Sequence, residues 1–410
     1  MDIPFLSKAT FRKHELKIHQ AASEAAEESM ISAAKEIKNM KGSKKARVDC
    51  GVSIDGTWQK RGYSSLNGCV TCISIDTGKI LDIEALTLYC RHCSQGKTSD
   101  ISHECRNHTG SSSSMETIGV YRIFERSIAS RNLRYSQYYG DGDSKAFDSV
   151  KNIYKKTSVE KLECIGHIQK RVGSRLRKLK KNTKGLGGKG KLTDRFIDRL
   201  QNYYGIAIRS NVGNLAAMQQ AVFAAFYHCC SGTKRSMHGQ CPDGKESWCR
   251  IKKAEALGKP VKEKSVGLSQ SIINTIKPTF MKLCDQELLK KCLHGKTQNA
   301  NESLNGVLWN LLPKEHFVEQ KTLQLGASLA TLQFNDGAKG LISVFSKLKI
   351  TPGAYALTAL EQSDKERVND SIRHSLPTAK GLRKKLRASR KNKLMKIEEE
   401  EGVTYQLGSF

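Results

Sequence analysis

Residues 52–58 read Val-Ser-Ile-Asp-Gly-Thr-Trp, the close of an apolar segment that begins at Arg47 and ends on a carboxylate, Asp55. Two similar segments follow, Gly68–Ile75 and Ile80–Leu88, rich in Val, Ile, Cys and Leu and separated by the turn Asp76-Thr-Gly-Lys79. Runs of this kind bounded by turn residues predict a three-stranded meander. Met115–Arg131 then spaces Ile118, Tyr121, Ile123, Phe124 and Ile128 as a helix does. Leu133–Tyr139 returns to strand before Gly140-Asp-Gly-Asp143, and a fifth strand is expected over Leu162–Ile168.

Strand, strand, strand, helix, strand is the order of an RNase H-like fold, in which the first and fourth strands are neighbours. Asp55 at the end of the first strand and Asp141 or Asp143 after the fourth would therefore converge. A third carboxylate, Glu302, stands in Asn299-Ala-Asn-Glu-Ser303, near the start of a helix continued by Leu304, Val307, Leu308 and Leu311. About 160 residues separate Asp143 from Glu302, far more than one helix and one strand need. The fold expected is thus α/β: an RNase H-like mixed sheet with flanking helices and a large, mainly helical insertion between the second and third acidic residues. Phe196–Tyr204, Leu215–His228 and Ile272–Leu283 are the helix candidates of the insertion. Taken singly, an Asp-Gly pair is usually a turn, because Asp accepts local backbone hydrogen bonds. Three carboxylates from two strand ends and a helix are what two-metal phosphoryl transfer requires, since hard cations about 3.5–4 Å apart must be flanked by oxygens.

Four words sharpen this. Asp55-Gly-Thr-Trp-Gln-Lys-Arg-Gly-Tyr63, Gly140-Asp-Gly-Asp-Ser-Lys-Ala-Phe147, Glu163-Cys-Ile-Gly-His-Ile-Gln-Lys-Arg171 and His294-Gly-Lys-Thr-Gln-Asn-Ala-Asn-Glu-Ser303 together resemble the Mutator-like transposase domain of eukaryotic DNA transposons, over roughly residues 40–350. The resemblance implies a DDE triad of Asp55, Asp141 or Asp143, and Glu302, with Cys164 and His167 as a Cys-x2-His signature between the second and third acids. It also implies cleavage and strand transfer of DNA, Mg2+ or Mn2+ at the triad, transposon ends and target DNA as partners, homo-oligomers on DNA, and a nuclear location. Domesticated copies of such proteins keep DNA and zinc binding without catalysis, and that is the alternative reading.

Cysteine and histidine spacing points to zinc. Cys90-x2-Cys93 followed by His103-x-Cys105-x2-His108 has metal-ligand spacing, with His103 or His108 as the fourth ligand. The resemblance favours His103. A second set lies in the insertion: His228, then His238, Cys241 and Cys249. Cys229, Cys230, Cys284 and Cys292 read as small buried hydrophobes. Thirteen cysteines, an odd count, fit a reducing compartment better than a complete disulfide framework.

Composition sets the partner class. The 410 residues carry 69 Lys and Arg against 40 Asp and Glu, a formal charge of +29. Such an excess favours a polyanion, because each cation that neutralises a phosphate releases a condensed counterion. Lys170, Arg171, Arg175, Arg177, Lys178, Lys180 and Lys181 begin an acid-free tract beside Cys164 and His167 and could track a DNA backbone. A second basic run spans Lys380–Lys396. No apolar stretch approaches the roughly 18 residues of a membrane span, and the first residues lack a secretion signal's basic and apolar regions. Gly295-Lys-Thr lacks the preceding glycine of a phosphate loop, so ATP use is not expected. The organisation expected is a helical segment and linker over 1–46, the first part of the core over 47–168 with a zinc loop at 88–110, a basic helical insertion over 169–290, the second part of the core over 291–350, and a basic tail over 351–410.

Overall fold

The computed structural model describes residues 6–42, 47–60, 64–94, 108–140, 144–155, 157–188, 190–261, 263, 265–383 and 385–389. Five strands form one sheet: β1 (Val48–Trp58), β2 (Asn67–Ser74), β3 (Ile80–Thr87), β4 (Leu133–Gly140) and β5 (Glu160–Glu163). Their spatial order is β3-β2-β1-β4-β5. The β1/β2 and β2/β3 pairs are antiparallel, and β1/β4 and β4/β5 are parallel. This is the RNase H-like arrangement, with β1 and β4 adjacent at the centre.

Two boundaries differ from the sequence reading. Asp55 does not end β1: the strand runs on to Trp58, because Gly56, Thr57 and Trp58 still pair with Val70, Cys69 and Gly68. The fifth strand is shorter than Leu162–Ile168. It stops at Glu163, and Ile165 and Ile168 are helical residues buried in a different core. An apolar run that straddles a strand end and a helix start reads as one element, since a short apolar run does not reveal its period.

Alternation along β2 builds two layers. Val70 and Cys72 face a core with Val120, Ile123 and Phe124 of the Ser114–Arg131 helix. Cys69 and Ile73 face the other way, onto Leu304, Leu308 and Trp309 of the Asn299–Leu311 helix and Leu323 and Ala327 of the Gln320–Asp336 helix. Period-two burial of this kind is what sandwiches a sheet between helices. Residues 8–40 form one helix, Lys8–Met40, capped by Ser7, whose side chain accepts from the Thr10 N–H. Its alanine face is buried, and its Glu27 takes a bidentate ion pair from Arg131, which also donates to the Leu81 carbonyl.

The insertion has a hydrophobic core of its own. Helices Ile165–Asn182, Asp194–Arg209, Leu215–Cys230 and Gln270–Met281 bury Val172, Leu200, Tyr204, Phe226, Ile276 and Phe280 together. The Phe226 and Phe280 rings lie 4.8 Å apart, and the Tyr204 hydroxyl donates to the Leu283 carbonyl at 2.7 Å. The chain then returns to the sheet edge, where the Glu163 N–H donates to Lys291 O and the Ile165 N–H to Lys296 O. That return carries the following helix, and Glu302 with it, back over β1. By compactness the chain divides into two units, Met1–Asn335 and Asp336–Phe410. Within the second, the Asp364 carboxylate accepts from the N–H groups of Ala338 and Lys339. No described helix is long and apolar enough to cross a membrane.

Candidate functional sites

The Asn299–Leu311 helix is fastened to β1 by polar side chains. Gln298 donates to Ile54 O at 2.7 Å, and Asn301 donates to Ser53 O at 3.3 Å and to the Thr71 hydroxyl at 3.0 Å. Ser53 returns a hydrogen bond to Asn301 Oδ1 at 2.6 Å. One turn on, Asn305 Nδ2 donates to Asp55 Oδ2 at 2.9 Å, and beyond it Trp309 Nε1 donates to the Thr57 hydroxyl at 2.8 Å. Asn301 is fully buried, so each of these bonds replaces water that the side chain has lost. Glu302 lies in the first turn, where the helix N-terminus favours a carboxylate. It stands one turn before Asn305 and is exposed.

Glu302 lines a cleft of about 290 Å³ with Cys164, His167, Lys170, Gln298 and Arg209. Cys164 is the buried residue that starts the Ile165–Asn182 helix, and its carbonyl accepts from the N–H groups of His167 and Ile168. The structure thus brings the Cys-x2-His signature, the first residue of the basic tract and the third acid to one cleft, and ties Asp55 to the same helix as Glu302. Asp141 and Asp143 lie outside the described residues.

His294 fixes the approach to this helix. Its Nδ1 accepts from the Lys296 N–H at 2.8 Å, so Nε2 carries the proton and donates to Glu163 O at 3.0 Å. Its ring meets Tyr139 edge-on at 4.5 Å. Burial lowers its pKa below the ordinary histidine value, in keeping with a neutral ring.

The basic tract is partly engaged within the chain. Arg171 pairs with Glu163 at 3.0 Å, Lys180 with Asp194 at 3.0 Å, and Arg177 with Asp198. Arg175, Lys178 and Lys181 are exposed.

In the insertion, His228, His238, Cys241 and Cys249 come together, with all four ligand atoms within 4.8 Å of one another. Cys241 Sγ lies 3.6 Å from His228 Nδ1 and 3.7 Å from His238 Nδ1, and Cys249 Sγ lies 3.4 Å from His238 Nδ1. Tetrahedral zinc with Zn–S near 2.3 Å and Zn–N near 2.0–2.1 Å has ligand–ligand edges of about 3.3–3.8 Å, so the donor set and its spacing fit a structural zinc site. Burial raises the Cys241 thiol to about 12, with Cys249 adding to it, and burial with the neighbouring His238 lowers His228 to about 4. Neutral imidazole is the ligating form. His238 turns its other nitrogen, Nε2, to Glu263 at 2.8 Å and to the Ser231 hydroxyl at 3.0 Å. A carboxylate behind a ligating histidine fixes its tautomer and ring orientation.

Of the other zinc candidates, Cys90 is half-buried, Cys93 exposed, and His108 buried with Nε2 2.7 Å from the Ser114 hydroxyl. His103 and Cys105 lie outside the described residues. Burial raises Cys229 to about 11 and Cys230, Cys284 and Cys292 to about 12, as expected of packed thiols.

Sequence reasoning missed Gln298, Asn301 and Asn305 as partners of β1. The signal was faint: Gln298, Asn301 and Asn305 recur at helical spacing, but Asn299, Glu302, Ser303 and Asn310 are polar too. Glu263 carried no such signal, standing between two lysines far from the ligands in sequence.

A family model described as Mutator-like transposase matches residues 1–249. A search of curated proteins finds no match to the chain.

Proposed function

The chain belongs to the Mutator-like transposases, and from that premise we propose that it binds double-stranded DNA through its basic, zinc-stapled insertion, with DNA cleavage and strand transfer as the step that Asp55 and Glu302 would add. The observation that carries the first part is the His228, His238, Cys241, Cys249 cluster. It supports structural zinc, while DNA binding is supported by the family and by the formal charge of +29; a domesticated, non-catalytic chain would need nothing more. The catalytic part rests on Asp55, held by Asn305, and on Glu302 in the cleft with Cys164, His167 and Lys170.

The residues around the carboxylates fit a hard divalent cation. Gln298 Oε1 and Asn305 Oδ1 are buried oxygens with no hydrogen-bond partner among the described residues, and both side chains sit on the helix that bears Glu302. Carboxylate and amide oxygens are the donors that Mg2+ or Mn2+ take. When bound there, such an ion would polarise a phosphodiester and lower the pKa of attacking water. Asp55, Glu302 and either Asp141 or Asp143 would hold it. Asn305 would keep the Asp55 carboxylate in one rotamer, and Lys170 would meet a phosphate at the cleft wall. Cys90, Cys93, Cys105 and His103 or His108 would hold a second zinc in the loop over 88–110. The sheet and Glu302 segment would form the core over 47–168 and 291–350, the insertion would span 169–290, and 1–46 and 351–410 would flank them. Action on transposon ends implies a nuclear location and a homo-oligomer on DNA.

The test is cleavage and joining of DNA bearing the flanking terminal inverted repeats, with Mg2+ or Mn2+, comparing the wild type with Asp55→Ala and Glu302→Ala. Metal-dependent products lost in both variants are expected of the enzyme. DNA binding without products, unchanged by either substitution, would leave the non-catalytic binder. No DNA binding at all would contradict both.

A further inference from the structure

A second cleft, of about 280 Å³, opens against the His/Cys cluster and is lined by Arg199, Tyr203, His228, Trp248, Arg250 and Glu263, among others. Its wall is aromatic. Tyr203 stacks on His228 with centroids 5.3 Å apart, and Trp248 meets His228 edge-on at 4.8 Å and Tyr203 at 5.6 Å. Trp248 is nevertheless 46% exposed, although it directly precedes Cys249, which is fully buried. The indole is held on one side by His228 and Tyr203 and open to solvent on the other, which leaves a face that a planar ring can cover.

Two arginines line the cleft. Arg199 is anchored, donating to Cys229 O at 2.7 Å with its guanidinium 5.3 Å from the Phe196 ring. Arg250 opens the short helix that follows Cys249. The acid in the cleft, Glu263, is engaged by His238 and Ser231. Two guanidiniums beside an open indole form a site for a planar ring attached to an anion.

We propose that this cleft binds one unstacked base of a DNA strand, with Trp248 as the stacking face and Arg199 and Arg250 meeting the adjoining phosphate. The proposal rests on the DNA-binding reading above, and its occupant follows from chemistry. Every base has a π-face that an exposed indole can cover, and guanidinium pairs with phosphate. The cleft is the size of a nucleotide and far too small for a duplex, so the base must leave its stack to enter, which costs least where it is already unpaired. The His/Cys cluster gains a role here beyond stapling: by fixing His228 and Cys249 it fixes the ring between them in space.

The experiment uses the full, zinc-loaded chain without Mg2+ or Mn2+, so that no catalysis enters. Affinity is measured for two 2-aminopurine DNAs, one fully paired and one with the probe base unpaired. The wild type should bind the unpaired DNA more tightly and quench the 2-aminopurine emission, as stacking on an indole does. Trp248→Ala should lose about tenfold on the unpaired DNA and little on the duplex, as expected for one stacked base. Trp248→Phe should retain most of the preference, and equal zinc content per chain shows that the variants are folded. If Trp248→Ala binds both DNAs as the wild type does, or weakens both equally, the inference is overturned while the DNA-binding reading stands. If the wild type binds neither DNA, both fall.

Discussion

The junction of β1 with the helix that bears Glu302 and the His/Cys cluster are built in opposite ways. Asp55 and Asn305 lie 250 residues apart in sequence and meet because a strand, an entire helical insertion and a returning segment bring a helix back over β1. The cluster needs only residues 228 to 249, a helix end and the loop after it. The first sets oxygens of a strand against those of a helix packed on it; the second sets nitrogen and sulfur from a helix end against those of the loop that follows. On the function proposed above, a cation at the first would act on a substrate, whereas a cation at the second would fasten a loop to the insertion's core.

This contrast predicts where metal loss matters most. Binding free energy at a structural zinc is folding free energy, on the order of 10 kcal/mol in small zinc-finger peptides. Cys241→Ser or Cys249→Ser should therefore give the largest effect, an early loss of the segment that follows the Leu215–Cys230 helix, ahead of the helices that share the insertion's own core and ahead of the sheet. A single transition at the wild-type temperature, followed by circular dichroism and hydrogen exchange, would erase the distinction between the two regions.

The next effect belongs to the sheet. Asn301→Ala removes a buried amide that satisfies Ser53 and Thr71 and leaves those groups without it. A loss of about 2–4 kcal/mol in urea unfolding is expected, with zinc content unchanged. A loss below about 0.5 kcal/mol would show that the helix is held by its apolar contacts alone.

Much of the fold could be read in advance because the first four strands each carried an apolar run and a turn, and the order of the runs indicated which strands would be neighbours; β5, Glu160-Lys-Leu-Glu163, carried none. The strand ends could not be read in this way. Whether Gly56-Thr-Trp58 continues β1 depends on its partner in β2, and whether Ile165 is strand or helix depends on which core receives it. The same division applies to the sites. The His and Cys spacing was local and readable, while Asn305 and Gln298 act through contacts that exist only once distant segments have met, and Glu263, though near in sequence, stands between two lysines with no spacing to mark it.

Glu263 sharpens the comparison from the cluster's side. Glu263→Gln removes the carboxylate behind His238 and should weaken zinc affinity by about 10–100-fold in competition with a chelator, leaving the sheet's stability as it was. Unchanged affinity would mean that His238 is oriented by packing and by Ser231.

The smallest expected effect is the pH response of the returning segment. Folded His294 is held neutral with its pKa below the ordinary value, whereas the unfolded chain takes up the proton near 6.5. The unfolded state therefore binds more protons below that pH. The contribution of His294 is full above about pH 6.5 and is lost as pH falls toward the lowered folded value. His294→Gln should flatten that part of the profile, measured by urea unfolding between pH 7.5 and 5. An identical slope in the variant would place the titration elsewhere.

The proposed division of labour, zinc at the His/Cys cluster and a hard cation at the carboxylates, is tested most directly by anomalous diffraction from crystals of the full chain grown with Zn2+ and Mn2+, collected at both absorption edges. The account predicts zinc among His228, His238, Cys241 and Cys249, and manganese beside Asp55 and Glu302. Manganese absent from the carboxylates, with zinc in place, would contradict the catalytic half and leave a transposase-derived DNA binder; zinc absent from the His/Cys cluster would contradict the account at its base.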